Sequence, residues 1–184
     1  MNVTIILWVL AGILIFFLLW IWSSYNAFIE GRNRVKTDYA DVDVQIKRRA
    51  SLIDNLASVV REYAKHEGST FAEVAKARSA VQNAKSPKES ASADNFLTST
   101  LKSLFAVTEA YPKLLASENY KQLTAQLEQT ENQIAVYRET YNQTVLRYNT
   151  SLQIFPNLLA AKLFGFSEQE LFEVESLIDT EVKL

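Results

Sequence analysis

The 184-residue chain has no cysteine, one histidine, one methionine, four glycines and three prolines. The missing cysteines exclude disulfides, thiolate zinc sites, a cysteine nucleophile and a cysteine-borne lipid anchor. So little glycine and proline leaves few turns, which favours long helices and disfavours a sheet protein. A net charge of −2 lacks the basic excess of a nucleic-acid-binding domain, so no nucleic-acid partner is expected. The charge is also uneven. Residues 30–66 hold eight Lys/Arg against six Asp/Glu, whereas residues 167–184 hold six acids and one Lys.

One stretch has no charge at all. VTIILWVLAGILIFFLLWIW, residues 3–22, runs for twenty residues without a charged side chain. At about 1.5 Å per residue a helix of that length covers roughly 30 Å, the hydrocarbon thickness of a bilayer. A cleaved signal peptide would want a basic leader, a shorter apolar core and a small-residue cleavage site, none of which is present. A retained single-pass anchor is expected, with Trp20 and Trp22 at one interface. Arg32, Arg34 and Lys36 follow the span and no Lys/Arg precedes it. The positive-inside rule then puts the N-terminus outside and the remainder in the cytoplasm at the cell membrane; the periplasmic or extracellular side is the alternative. The same three cations are the candidates for anionic headgroups. Gly12 has no small residue four positions away, so the span carries no GxxxG-type dimer signal.

Beyond the span, Val35, Tyr39, Val42, Ile46, Arg49, Ile53, Leu56, Val60 and Tyr63 alternate steps of four and three. This is a heptad seam, apolar or aromatic except at Arg49, and predicts one helix over about 30–66, able to continue from the span. HEGST closes it, with Gly68 as the turn residue. Thr70 and Glu73 form a capping-box pattern opening a second helix to about residue 84, and KSPKESAS reads as a connector. A third helix is expected over about 92–111, with Leu97, Leu101, Leu104, Phe105 and Thr108 on one face. A fourth, capped by Ser117, carries the seam Tyr120, Leu123, Leu127, Thr130, Ile134, Tyr137, Tyr141, Thr144 and Tyr148. Together these stripes predict an all-α protein: an N-terminal transmembrane helix, then an elongated antiparallel bundle of about four helices.

FPNLLAAKLFGF, residues 155–166, packs Phe155, Leu158, Leu159, Leu163, Phe164 and Phe166 into a short apolar helical segment. It reads either as a plug on the end of the bundle or as a contact for another subunit, a partner or a membrane surface. Ser167 with Glu170 forms a further capping-box pattern ahead of LFEVESLI.

These segments resemble the LemA family. The resemblance runs through RNRVK (32–36), VDVQIKRRASLIDNL (42–56), YAKHE (63–67), AYPKLLASENYKQL (110–123), TENQIAVYRETYN (130–142) and RYNTSLQIFPNLLAAKLFGF (147–166). It spans nearly the whole chain in order and implies a single-pass, membrane-anchored, all-α bundle with no assigned activity. The chain departs from the family pattern at Asp54, where members commonly have proline, and in a loop between Phe155 and Asn157 that looks one residue short. The expected organisation is an anchor over 1–24, a LemA-like bundle over 25–166 and a short acidic segment over 167–184.

Little in the chain resembles catalytic machinery. His66 is the sole imidazole and sits at a helix end, where a helix dipole favours a cation. No Glu-x-x-His pair, Gly-rich phosphate loop or nucleophile–base pair is present, so no cofactor is expected. Glu128 and Glu131 share a helix face that reads as solvated. The triplet Lys47, Arg48 and Arg49 is not one patch: Lys47 and Arg48 project from the seam and Arg49 lies on it. A buried arginine requires a paired acid. Glu128, Glu131 and Glu139 on the fourth helix are the candidates, and Arg49 is expected to fix the register of the two long helices. The overall expectation is a non-enzymatic membrane-anchored scaffold that self-associates and organises or shapes membrane, with the bilayer, further copies of itself and other membrane proteins as partners. The alternative is an adaptor for partner proteins or peptides at a membrane complex. The candidate contact residues for either are Phe155, Leu158, Leu159, Phe164 and Phe166.

Overall fold

The computed structural model describes residues 3–172. Six helices follow in order: α1 (Val3–Tyr63), α2 (Gly68–Asn83), α3 (Pro87–Thr108), α4 (Pro112–Leu115), α5 (Glu118–Gln153) and α6 (Asn157–Phe164). No strand occurs among the described residues, so the all-α reading holds. α1 is one helix of 61 residues that takes in the apolar stretch and the heptad seam together. It passes through Ser23, Ser24 and Gly31, and through Asp54, where the resemblance implies proline. No proline interrupts it, so no amide donor is missing from its hydrogen-bond ladder.

The chain divides into two compact units. Among the described residues, the first comprises residues 3–37 and 143–169, and the second residues 38–142 and 170–172.

The second unit is the bundle, and its side-chain pairs give the topology. Asp54 bonds Arg78 at 2.7 Å and the Arg61 guanidinium sits over the Phe71 ring, so α2 descends as α1 rises. Thr108 and Tyr120 hydroxyls meet at 3.2 Å, while Asp94 pairs with Arg138, so α5 runs against α3. Tyr39 stacks on Tyr141 and Arg49 pairs with Glu131, so α5 also runs against α1. The result is an up-down-up-down bundle. Its core holds Val42, Ile46, Ile53, Leu56 and Val60 of α1, Leu97 and Leu104 of α3, and Leu127, Ile134 and Tyr141 of α5. Tyr63, expected on the seam, is exposed; Ala64 takes the buried place beyond Val60.

Several helix boundaries differ from expectation. α2 starts at Gly68, and Thr70 is a buried residue inside it, so the Thr70–Glu73 cap does not form. Gly68 opens α2 instead of closing α1, and it has no positive φ. The KSPKESAS segment is no connector. Ser86 caps α3, its Oγ accepting from the Glu89 amide at 3.2 Å, and Pro87 takes the first turn, where a missing N–H costs nothing. The Glu89 carboxylate reaches back to the Lys85 amide at 2.7 Å, which completes a capping arrangement. α3 therefore begins five residues before the expected start at Ser92 and ends at Thr108. Ser117 does cap α5, accepting from the Tyr120 amide at 3.3 Å.

In the first unit, α6 ends at Gly165, whose φ of +69° lies in the left-handed region that glycine enters without steric cost. The Phe166 amide reaches Ala161 and the Gly165 amide reaches Lys162, the paired bonds of a Schellman stop. Residues 166–170 are not helical, so the Ser167–Glu170 cap is absent; most of the LFEVESLI stretch lies outside the described residues.

Candidate functional site

The second unit contains a buried ion cluster. Arg49, placed on the seam by its heptad position, is almost wholly buried. Its two terminal nitrogens meet Asp94 Oδ1 of α3 at 2.8 Å and Glu131 Oε2 of α5 at 2.6 Å. Asp94 is equally buried and turns its other oxygen to Arg138 of α5. Two arginines and two acids thus tie three helices at one level. Burial without pairing would leave Arg49 and Asp94 with an unmet desolvation cost, whereas Glu131 reaches the cluster from an exposed position. Of the expected partners Glu131 is in place, whereas Glu128 is exposed and does not pair with Arg49. Asp94 of α3 is a partner outside the fourth-helix candidates. Lys47 and Arg48 are exposed, and Lys47 pairs with Asp43 on its own helix at 2.6 Å.

The first unit carries the apolar groups next to the candidate span. Residues 3–19 of α1 are exposed throughout, and α1 is long and apolar enough there to cross a membrane. Trp20 is half-buried and Trp22 exposed. Just beyond, Tyr25 meets the rings of Phe164 and Phe166 at 5.0 and 5.7 Å. Phe28 meets Phe166 at 5.2 Å, and the Arg32 guanidinium lies over the Phe166 ring at 5.5 Å. Arg34 and Lys36 are exposed. Phe166 and Leu158 are half-buried, whereas Phe155, Leu159 and Phe164 are exposed. The chain here closes tightly: a Cβ on Gly31 would lie 3.0 Å from the Tyr148 ring. Arg34 and Arg147 flank a shallow cavity of about 230 Å³ whose walls are mainly apolar.

Each of the two Tyr-Asn pairs on α5, seven residues apart, places its tyrosine inward and its asparagine against the extended C-terminal segment. In the first unit Asn149 accepts from the Gln169 amide at 2.8 Å and donates to its carbonyl at 2.9 Å. In the second unit Asn142 accepts from the Phe172 amide at 2.8 Å and donates to its carbonyl at 3.2 Å. Tyr141 adds a bond from its hydroxyl to the Glu170 carbonyl at 2.6 Å, and Phe172 packs under the Arg138 guanidinium. A side-chain amide can donate and accept in one plane, which lets it pair with a backbone as a strand neighbour would.

Burial pushes the Tyr141 hydroxyl up to about 12, with Tyr39 and Glu170 adding to the rise. Burial also raises Tyr39, against the lowering effect of its bond to Ser90, and raises Tyr148, against the nearby Arg32 charge. These are neutral phenols held inside helices. Among the described residues no group of three or more His, Asp or Glu side chains could hold a metal ion. The exposed His66 lies in the loop after α1.

The family model described as LemA family matches residues 38–184. Curated relatives agree along most of the chain. The magnetosome protein MamQ of Magnetospirillum gryphiswaldense is 25% identical, over 92% of this chain and 72% of its own length. Magnetosome protein MamQ 2 of Paramagnetospirillum magneticum is 27% identical, over 86% of this chain and 68% of its own. Protein LemA of Metamycoplasma hominis is 26% identical, over 89% and 82%.

Proposed function

This chain belongs to the LemA family, and on that premise we propose that it is a non-enzymatic, single-pass membrane-anchored scaffold whose copies associate to organise or shape a bilayer. One observation carries the reading: a single helix, α1, supplies both an exposed apolar stretch of membrane-spanning length and the buried seam of the bundle. A bundle joined covalently and helically to its anchor is suited to holding a position at a membrane. The ion cluster supports a structural role, because its charged groups are spent on one another across three helices. Relatives named for the magnetosome are consistent with work on a cell structure. Arg32, Arg34 and Lys36 just past the span favour the cytoplasmic side for the bundle.

Most seam residues of α1 and α5 are buried, so the seams are not the surface we assign to self-association. That surface must come from what remains exposed. Electron microscopy of the full-length protein reconstituted in lipid tests the reading. Ordered or clustered assemblies are expected, and uniformly dispersed single copies would overturn it.

An adaptor is the second reading, favoured by the exposed Phe155 and Leu159. It requires a protein partner seated on that surface.

A further inference from the structure

α6 is packed the wrong way round for a helix facing water. It buries Ala160 and Ala161, at 2% and 3% exposure, and turns its large side chains outward. Leu159 is 57% exposed and Leu163 69%, while Phe155, just before the helix, is 80% exposed. A water-facing amphipathic helix buries its leucines and shows its small or polar residues. The stretch from Ile154 to Phe164 has one charge, Lys162, and no acid.

The position of this surface suggests what covers it. Within the first unit, Phe164 stacks on Tyr25 at 5.0 Å. Tyr25 lies three residues after Trp22, about 4.5 Å along the helix axis at 1.5 Å per residue. The exposed apolar side of α6 is therefore held beside the end of the span, at the level where a bilayer's headgroups and upper acyl chains meet. Lys162 is exposed between Leu159 and Leu163, and a lysine stem can run through an apolar layer and keep its ammonium at the headgroups.

We propose that α6, with Ile154 and Phe155, is a second membrane contact: a short interfacial helix that lays Phe155, Leu159 and Leu163 into the leaflet at the Trp22 end of the span. The occupant is the lipid surface itself. The inference rests on the span being a membrane anchor, and it deepens the scaffold reading. Each copy would then place a through-going helix and a one-leaflet wedge side by side, and a helix inserted in one leaflet is sensitive to curvature.

The cysteine-free sequence makes the test direct. Leu159→Cys, Leu163→Cys and, as a water-facing control, Arg48→Cys are each labelled with a nitroxide in the full-length chain. The proteins are reconstituted in vesicles of zwitterionic and anionic phospholipid. Labels at 159 and 163 should lose accessibility to a water-soluble relaxation agent and gain accessibility to oxygen, which concentrates in acyl chains, while the label at 48 shows the reverse. Water accessibility at 159 and 163 equal to that at 48 would overturn the proposal. So would shielding from both agents, which would mean that protein covers the helix; spin–spin broadening would then identify a second copy. The particle mass from the same preparations separates the two ideas. Lipid-exposed labels on single copies leave the wedge standing and remove the scaffold, whereas assemblies with water-exposed labels do the opposite.

Discussion

Arg49 and Asp94, on different helices and 45 residues apart, meet at 2.8 Å with both side chains almost completely buried. Each has one further partner, Glu131 for Arg49 and Arg138 for Asp94, so the two charges are held by a cluster of four. Arg49→Leu removes one of Asp94's two guanidinium partners. Breaking a buried pair in this way costs about 3–5 kcal/mol. Urea unfolding measures the loss. Spin labels at Asn55→Cys of α1 and Gln122→Cys of α5, which line one shallow cavity, report the register. A broadened distance distribution together with lost stability is expected. Unchanged or higher stability with the same distance would show that the cluster does not set the helix pairing.

Asn142→Ala leaves both the amide and the carbonyl of Phe172 without their partner. Unmade bonds at a part-buried site cost about 1–3 kcal/mol. The expected signature is faster hydrogen exchange at the Phe172 amide with the core amides of α1 unchanged. Asn142→Asp keeps the acceptor and loses the donor, so it should fall between the two.

Gly31→Val should destabilise the first unit. The glycine Cα faces the buried Tyr148 ring, and even a Cβ would come within 3.0 Å of it. Overpacking a site of this kind costs about 1–3 kcal/mol. Gly31→Ala should cost less, because alanine's helix preference returns up to about 1 kcal/mol. Guanidinium unfolding of the full chain in detergent compares the two.

The fold should weaken at high pH through Tyr141. Its hydroxyl is raised to about 12 in the folded protein against 10.0 for the free side chain. Below pH 10 both states hold the proton, and the full contribution is present. Between about pH 10 and 12 the unfolded chain releases it first, so stability falls as pH rises. Ultraviolet absorbance of phenolate should show a late-titrating tyrosine in the folded protein. Tyr141→Phe should remove that component and flatten the decline.

Much of this architecture was legible because period carries burial. The α1 seam from Val35 to Val60 and the α5 seam from Leu127 to Tyr148 follow the heptad spacing, and Glu131 was within reach as Arg49's partner. Asp94 lies inside the expected third helix, one step of three before Leu97, at a position where an acid is ordinarily solvated. The residues Asp94, Leu97, Leu101, Leu104 and Thr108 step by three and four, so an acid on an apolar stripe was the available signal. Local cap patterns were less decisive. Ser-x-x-Glu at 86–89 forms a cap because Pro87 fixes the first turn, whereas Thr70–Glu73 is overridden by burial of Thr70 inside α2. The Tyr-Asn pairs at 141–142 and 148–149 lie within segments that carry the family resemblance, but what their asparagines bind is not legible there. These asparagines bind backbone far along the chain, a pairing that no helical period encodes.

The most direct test of the scaffold is the particle mass of the full-length protein extracted in mild detergent, measured by light scattering. A large, discrete assembly of many copies is the result the account requires. A single copy at every concentration would contradict it and turn attention to a protein partner for Phe155 and Leu159.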